Sequence, residues 1–381
     1  MDIALTGGSS FLGLRLAAEF LKRGHRLTLL ATDDPATVRA RLLRRLKLLG
    51  YPVETVAEDG ADLDATYVDP EAPHLGLGRI GWEALAERFD VLWHCPAGLD
   101  ISGAPDFAGG VPAKGARALL PLAARGSRTT AFHQVSTVLA HGAQEPGTVR
   151  EHCDVLKQGA PRNPYEKAYA DADQYVDIVA AQYSVPAVVH RTGILITDLA
   201  PHPELPQHSL AQAAAIAGRL FATAEQGYHL TLALPGDPEG SLNLLPVVSA
   251  AQAMADIGEC AQEPGARLVH VVNGRNTPVS RALNAFEQLF PVRLKLRPPG
   301  AAYFPFEVRG LPGGLNGVLP YLRQHHSYET NALRDFGVPV TSPAVTLNYL
   351  VRGLRGAGTE AARFPEAPRA RATAAPLTLA P

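Results

Sequence analysis

Two stretches of the 381-residue sequence carry groups that could do chemistry. The first is a turn rich in glycine and serine, residues 7–10, which lies between an apolar run and a helical pattern that starts at Phe11. Backbone amides at the start of a helix, together with the helix dipole, bind the diphosphate of a nucleotide in this arrangement. We therefore expect a dinucleotide site at the turn. A tight strand-to-helix turn without a ligand is the alternative interpretation.

The second stretch, residues 163–176, places two tyrosines four residues apart. This spacing puts Tyr165, Tyr169 and Asp173 on one helix face, whereas Lys167 points about 200° away from Tyr165. A tyrosine without a positive charge beside it has a pKa near 10, so it stays protonated at pH 7 and can act as an acid but poorly as a base. This favours reduction over oxidation. The alternative is that the two rings only pack beside a sheet.

The apolar segments predict a parallel sheet that would position both stretches. The predicted strands are Asp2–Thr6, Arg26–Ala31, Thr66–Val68, Phe89–His94, Thr130–Val135 and Ala187–His190. Helical periodicity lies between them, and this alternation indicates an α/β protein with a doubly wound parallel sheet of Rossmann type.

The pattern also predicts how the chain divides. We expect a dinucleotide-binding domain at residues 1–198 and a smaller, substrate-covering lobe at 199–361, because the regular alternation loosens after Leu199. Some later segments, such as Val269–Val272, are expected to return to the first domain. The last residues, 362–381, are rich in Ala, Pro and Arg, which predicts a disordered tail.

Composition excludes several classes of function. A chain with 46% hydrophobic and 19% charged residues can bury a large core, and a formal net charge of -2 gives little basis for binding nucleic acid or an anionic membrane. Small molecules are the expected partners. Three cysteines that lie far apart predict neither disulfides nor a zinc site, and the histidines have no metal-ligand spacing. The pair His325-His326 is expected to be solvated. No signal peptide and no apolar run of roughly 18 residues are seen, so a cytoplasmic location is expected.

Six segments, in this order, resemble the extended short-chain dehydrogenases/reductases, and within them the branch that holds thioester reductase domains and fatty acyl-CoA reductases. They are TGGSSFLG at 6–13, WHCPAGLD at 93–100, HQVST at 133–137, NPYEKAYADADQYV at 163–176, HRTGILITD at 190–198 and LNLLPVVSAAQAM at 242–254. The likeness covers roughly residues 1–350, and the order and spacing of the motifs make it specific.

The resemblance implies a catalytic set of a Ser or Thr, a Tyr and a Lys. Ser136 matches the hydroxyl that orients the substrate carbonyl, and Tyr165 matches the proton donor. The lysine, which in the family holds the nicotinamide ribose and lowers the tyrosine pKa, is replaced by Tyr169. We expect the Tyr169 hydroxyl to contact the ribose without supplying a charge.

The resemblance also implies a dinucleotide cofactor, NADP(H) more than NAD(H). Arg41 and the Thr32 hydroxyl could hold a 2′-phosphate, although Ala31 replaces an arginine that often ends the second strand. Ser10 replaces a glycine of the family loop, and Cys95 replaces an asparagine. The expected cofactor-binding residues are Gly7, Ser9, Ser10, Phe11, Leu12, Gly13, Thr32, Arg41, Asp69, Pro96, Ala97, Tyr169, Thr192, Gly193 and Ile194.

Three functions remain open from the sequence. The first is an NADP(H)-dependent reductase of a carbonyl or thioester on a large apolar substrate of polyketide or fatty-acyl type, which a carrier protein could deliver. The second is a redox-silent protein that uses Ser136 and Tyr165 for a step such as cyclisation of an acyl thioester. The third is a non-catalytic nucleotide sensor. The departures from the family pattern fall on the cofactor side and favour the second function, whereas Arg41 favours the first. Whether the protein is a monomer or a homodimer also stays open.

Overall fold

The computed structural model describes residues 1–53, 62–96, 111–126, 130–152, 159–221, 230–298 and 318–357. The strands in these ranges are β1 (Asp2–Thr6), β2 (Arg26–Ala31), β3 (Leu63–Tyr67), β4 (Val91–His94), β5 (Ala131–Thr137), β6 (Gly147–Val149), β7 (Pro186–Thr192), β8 (Ile194–Ile196), β9 (Leu230–Pro235), β10 (Ser241–Leu242), β11 (Leu244–Pro246), β12 (Gly265–Val271), β13 (Thr277–Pro278), β14 (Val292–Arg297) and β15 (His326–Tyr328). The α-helices are α1 (Phe11–Lys22), α2 (Pro35–Leu48), α3 (Gly78–Ala86), α4 (Val111–Arg125), α5 (Pro164–Tyr183), α6 (Ser209–Phe221), α7 (Val247–Gly258), α8 (Val279–Leu289), α9 (Asn331–Asp335) and α10 (Leu347–Leu354). Short 3-10 helices lie at Pro73–Gly76, Val138–His141 and Leu319–Arg323.

A parallel sheet of seven strands forms the centre of the molecule, in the order β12-β7-β5-β4-β1-β2-β3. Successive strands run from β1 towards β3 on one side and from β4 towards β12 on the other, so the order reverses between β1 and β4. In open α/β sheets, ligands bind at this switch point, beyond the carboxyl ends of the strands. The predicted doubly wound fold is confirmed, and the predicted β1 and β2 agree with the structure at both ends.

Helices cover both faces of this sheet, which is why its strands read as apolar runs. One buried cluster joins the sheet to α1, α2, α7 and α9, and another joins it to α3, α4 and α5. Each face thus has its own hydrophobic core. The carboxyl ends of β1, β4, β5 and β7 are left to the loops that form the candidate site.

Several predicted strand ends differ from the structure. The strand β3 is Leu63–Tyr67 and not Thr66–Val68, and β5 continues past Val135 to Thr137. The extension of β5 has a tertiary cause, because Ser136 and Thr137 pair with the end of β7, which itself runs to Thr192. Pairing with a neighbouring strand overrides the lower strand preference of a polar segment.

The later part of the chain contributes both to the sheet and to a third core. The edge strand β12 pairs with β7, and α7 packs on α1. The third buried cluster is built around α6, α8 and α10 and also includes Tyr165 and Tyr169. No described helix has the length and apolar character to cross a membrane. The predicted tail at 362–381 lies outside the described residues.

The prediction that His325-His326 is a solvated pair is wrong for His326. His326 is 5% exposed, and the centroid of its ring lies 4.5 Å from the centroid of the His141 ring. The short strand β15 carries His326 inwards because it pairs with β6. His325 contacts Asp237 instead.

Candidate active site

Two glycines of the first turn are required by the backbone. Gly7 follows β1 with a φ of +65°, a left-handed conformation that glycine adopts without strain. A Cβ atom on Gly13 would lie 2.1 Å from the carbonyl oxygen of Gly7, so only glycine lets α1 approach the turn this closely. The first helix therefore starts directly against the end of β1.

Ser10 caps this helix. Its Oγ accepts a hydrogen bond from the Gly13 amide at 3.0 Å. Phe11 and Leu12 are the first two residues of α1, and their amides have no acceptor within the described ranges. These two amides and the helix dipole fit the diphosphate of a dinucleotide, even though the Ser10 side chain takes the third amide.

The Ser10 side chain also reaches across the switch point. Its Oγ lies 3.5 Å from the Sγ of Cys95, the residue that follows β4. Burial raises the pKa of the Cys95 thiol to about 11, so it is neutral and unreactive at pH 7. The floor of the crevice is therefore formed by two neutral side chains where the family pattern has a glycine and an asparagine.

Cations gather where β2 leads into α2. Arg41 forms an ion pair with Asp33 at 3.3 Å, close to the exposed Thr32. Arg45 donates to the carbonyl oxygen of Ser9 at 3.0 Å, and burial together with neighbouring arginines lowers its pKa. The predicted pair Arg41 and Thr32 thus lies at one strand end, but Asp33 occupies the Arg41 guanidinium.

The other predicted contacts on the adenosine side are only partly described. Asp69 accepts a hydrogen bond from the Glu71 amide at 2.9 Å, so its carboxylate is held in its own turn. Pro96 follows Cys95 and is half-buried. Ala97 lies outside the described residues.

Tyr165 and Tyr169 lie in the first two turns of α5 with ring centroids 4.9 Å apart. Burial raises the pKa of both hydroxyls above the usual value, more than expected from the sequence. For Tyr165, interactions with the Thr137 and Tyr169 hydroxyls oppose this rise in part, whereas the charge of Glu166 adds to it. None of these three neighbours carries a positive charge. Both tyrosines are therefore protonated at pH 7.

The structure brings Thr137, and not the predicted Ser136, to Tyr165. The Ser136 hydroxyl donates to Oδ2 of Asp173 at 2.9 Å, whereas the Thr137 hydroxyl interacts with that of Tyr165. Both residues of β5 thus reach α5, but Ser136 meets Asp173, further along the helix, and only Thr137 lies beside the tyrosine. The position of Asp173, eight residues after Tyr165, is a signal that could have shown which hydroxyl is taken.

Arg191 is a member of this network that sequence reasoning missed. Its Nε donates to Oδ2 of Asp173 at 2.8 Å, and both side chains are buried. Burial raises the pKa of Asp173, and Arg191 and Ser136 oppose the rise. The network fixes α5 to β5 and β7 beneath the tyrosines.

The segment Thr192-Gly193-Ile194 leaves the sheet in a fixed path. A Cβ atom on Gly193 would lie 2.4 Å from Oδ1 of Asn243, and the Ile194 amide donates to the Asn243 carbonyl at 2.8 Å. The Thr192 hydroxyl donates to the carbonyl of Ser136 at 3.3 Å. At Gly193 this segment therefore offers backbone without a side chain beside the end of β5.

Each half of the site has its own side-chain contact. The Ser10 hydroxyl lies 3.5 Å from the Cys95 thiol at the end of β4, and the Tyr169 ring packs on the Tyr165 ring at the start of α5. Within the described part of the chain, no cluster of three or more His, Cys, Asp or Glu residues could hold a metal ion.

Comparison with known proteins agrees with this arrangement. A family model described as male sterility protein, an NAD-binding family, matches residues 5–254. No curated protein sequence gives a significant match.

Solved structures show the same fold at low sequence identity. The terminal R domain from the myxalamid PKS-NRPS biosynthetic pathway has a TM-score of 0.70 at 18% identity, over 95% of this chain and 92% of that chain. The reductase (R) domain of a nonribosomal peptide synthetase from Mycobacterium tuberculosis has a TM-score of 0.68 at 20% identity, over 93% and 90%. UDP-glucose 4-epimerase from Bifidobacterium longum, in complex with NAD+ and UDP, has a TM-score of 0.62 at 15% identity, over 94% and 100%. Since the family model spans most of the chain, the protein belongs to the male sterility protein family, an NAD-binding branch of the extended short-chain dehydrogenase/reductase oxidoreductases.

Proposed function

We propose that this protein is an NADP(H)-dependent reductase of a carbonyl or thioester on a large apolar substrate delivered by a carrier protein. The observation that carries the proposal is the position of the protonated Tyr165 hydroxyl beside Thr137 at the carboxyl end of β5, with the Tyr169 ring packed on the Tyr165 ring. The carrier-bound substrate is supported by the likeness to R domains of PKS and NRPS systems.

The cofactor would lie across the switch point. The amides of Phe11 and Leu12 would bind its diphosphate, and Arg41 would hold the 2′-phosphate of NADP(H). Tyr169 would contact the nicotinamide ribose through its hydroxyl, and the backbone at Gly193 would border the ring. When bound, the dinucleotide supplies the hydride.

The residues of the chain would then act on the carbonyl oxygen. The hydroxyls of Thr137 and Tyr165 donate hydrogen bonds to it, and Tyr165 supplies the proton if an alcohol is formed. For a thioester the balance is R–CO–SR′ + NADPH + H⁺ → R–CHO + R′–SH + NADP⁺, and the proton ends on the released thiol. Because the raised pKa keeps Tyr165 protonated, it is not available as a base, so the site works in the direction of reduction.

The test is the oxidation of NADPH, followed by absorbance, with a long-chain acyl-pantetheine thioester as substrate. We expect acyl-dependent NADPH oxidation with release of one thiol per aldehyde. The Thr137→Val variant should lose at least about tenfold in kcat, as a lost hydrogen bond to developing charge does. Thr130→Val is the matched control and should keep kcat within about twofold, because its hydroxyl donates to the Phe89 carbonyl before the start of β5, away from the tyrosines. Equal kcat values for Thr137→Val and Thr130→Val would overturn the assignment.

A redox-silent function is the second candidate. It is favoured by the contact of Ser10 with Cys95, which narrows the crevice where the cofactor would lie, and by the absence of a cation among the neighbours that shift the pKa of Tyr165. In this case the two hydroxyls would activate an acyl thioester for cyclisation. Calorimetric titration separates the candidates: no binding of NADPH at millimolar concentration, together with thioester consumption that needs Tyr165, would favour the second.

A further inference from the structure

A hydroxyl from the later part of the chain completes the start of the helix that carries Tyr165. The Nδ2 of Asn163 donates to the Tyr321 hydroxyl at 2.9 Å, and this hydroxyl donates to Oε1 of Glu166 at 2.9 Å. The Glu166 amide in turn donates to Oδ1 of Asn163, also at 2.9 Å. Asn163, Glu166 and Tyr321 thus form a closed ring of hydrogen bonds at the first turn of α5, the turn that carries Tyr165.

The ring contains a fully buried carboxylate. Glu166 has no solvent-exposed side-chain surface, and besides Tyr321 it accepts from the Arg162 amide at 2.6 Å and from the Arg162 guanidinium at 3.0 Å. A buried charge is stable only when it is paired and its remaining acceptors are satisfied. Removal of the Tyr321 hydroxyl would therefore leave both Glu166 and the Asn163 amide group short of a partner.

Tyr321 is itself fixed by other parts of the later chain, residues 230–298 and 318–357, which form the substrate-side region. It lies in the 3-10 helix Leu319–Arg323 and is 2% exposed. Two backbone hydrogen bonds hold the residues that follow it: the Asp237 amide donates to the carbonyl of Leu322, and the Ser241 amide donates to the carbonyl of Gln324. The turn between β9 and β10 thus holds Tyr321, and Tyr321 holds the first turn of α5.

We propose that Tyr321 is a positioning residue, which couples the packing of the substrate-side region to the place of the Tyr165 hydroxyl beside Thr137. The activity part of this proposal rests on the proposed reductase function. The physical reason is that Tyr165 is the second residue of α5, so any loosening of the first turn moves its hydroxyl. A misplacement of about 1 Å in a reacting group costs about 100-fold in rate.

The experiment compares Tyr321→Phe with the control Tyr328→Phe. Tyr328 lies seven residues later in the same region, and its ring packs against those of His270 and His141. In Tyr321→Phe we expect kcat for the acyl-pantetheine thioester to fall between about 10-fold and 100-fold. The KM for NADPH and for the thioester should stay within about twofold of wild type, because binding groups are untouched. Tyr328→Phe should keep kcat. An unchanged kcat in Tyr321→Phe, or an equal loss in Tyr328→Phe, would overturn the proposal.

Amide hydrogen exchange gives a readout that does not need activity. The amides of residues 165–168 should exchange faster in Tyr321→Phe than in wild type, while Tyr328→Phe should leave them unchanged. If wild type shows no reductase activity, the proposed function fails, but hydrogen exchange still tests whether Tyr321 holds the first turn of α5. Equal exchange in Tyr321→Phe and Tyr328→Phe would contradict that role of Tyr321. Should Tyr321→Phe not fold, Asn163→Ser replaces it, because serine keeps the helix cap but does not reach Tyr321.

Discussion

The two halves of the candidate site are built from different kinds of group. At the start of α1 the ligand would meet backbone amides, whose direction is set by Gly7 and Gly13. At the start of α5 it would meet side-chain hydroxyls, whose direction depends on Asp173, Arg191 and other buried partners. Replacing Gly by Ser at position 10 leaves two of the amides available, whereas Tyr169 in place of lysine removes a charge from the tyrosine half.

This difference bears on which half can change its chemistry. A backbone site keeps its function when side chains vary, provided that the glycines remain. A site made of side chains changes its protonation with its surroundings, and here burial raises the pKa of Tyr165 and Tyr169 and keeps both hydroxyls protonated. In the proposed function, the tyrosine half would therefore set the direction of the reaction, and the glycine half would set which cofactor is bound.

Acid should lower the free energy of unfolding through two buried histidines in the sheet that carries both halves of the site. The rings of His133 and His190 share a hydrogen bond of 2.8 Å in the sheet and stack on Trp93. Burial lowers the pKa of His133 to about 3 and that of His190 well below its usual value, so both are neutral in the folded protein. In the unfolded chain they titrate near pH 6.5, so the unfolded state takes up protons first as the pH falls. The contribution of the two neutral histidines to the free energy of unfolding is therefore present above about pH 6.5 and is lost as the pH falls towards 3. At pH 5 the loss is roughly 4 kcal/mol for the pair.

Urea unfolding between pH 7 and pH 5 measures this loss. A free energy of unfolding that stays constant over this range would contradict the neutral, buried pair.

Removing the Tyr165 hydroxyl should disable the tyrosine half alone. In Tyr165→Phe we expect kcat to fall by about 100- to 1,000-fold, the range for a lost general acid, with the Kd for NADPH unchanged. Tyr175→Phe is the matched control: this residue lies on the same helix but packs against Arg117. Equal kcat values for Tyr165→Phe and wild type would show that the hydroxyl is not the proton donor.

Removing the Arg41 charge should weaken only the glycine half. In Arg41→Ala we expect the Kd for NADPH to rise about tenfold, as for a lost charge-assisted hydrogen bond, and the Kd for NADH to stay constant. Asp33→Ala should have the opposite effect on NADPH, because Asp33 now pairs with Arg41. Fluorescence titration with both cofactors measures these changes. Parallel changes for NADPH and NADH would rule out a 2′-phosphate contact.

The smallest effect is expected at Ser10. Ser10→Gly removes the hydroxyl that contacts both the Gly13 amide and Cys95 at the start of α1, so the affinity for NADPH should rise a few-fold. Exchange of a serine cap for glycine costs only a few tenths of a kcal/mol in stability. Weaker NADPH binding in Ser10→Gly would mean that the Ser10 hydroxyl itself holds the cofactor.

The sequence predicts the glycine half better than the tyrosine half, and the reason is local. The strand β1, the turn and α1 are consecutive, and their glycines and cap act on residues within a few positions. The ends of β1 and β2 were therefore predicted correctly. The fold class follows from the same local pattern, because alternating strands and helices can pack in few ways.

The tyrosine half depends on contacts between distant residues, which one sequence does not reveal. The sequence predicts Ser136 and does not reveal that Thr137 lies beside Tyr165, because the packing of β5 on α5 decides which hydroxyl each helix residue meets. Arg191 and Tyr321 were missed for the same reason, since they reach Asp173 and Glu166 only in the folded chain.

The transfer of deuterium tests the central claim most directly. Wild-type protein is incubated with an acyl-pantetheine thioester and NADPH that carries deuterium at C4 of the nicotinamide, and the product is analysed by mass spectrometry. The account predicts an aldehyde or alcohol that contains deuterium from one face of the nicotinamide, and none of this product in Tyr165→Phe above about 1% of the wild-type rate. Consumption of the thioester without deuterium in the product would contradict the account.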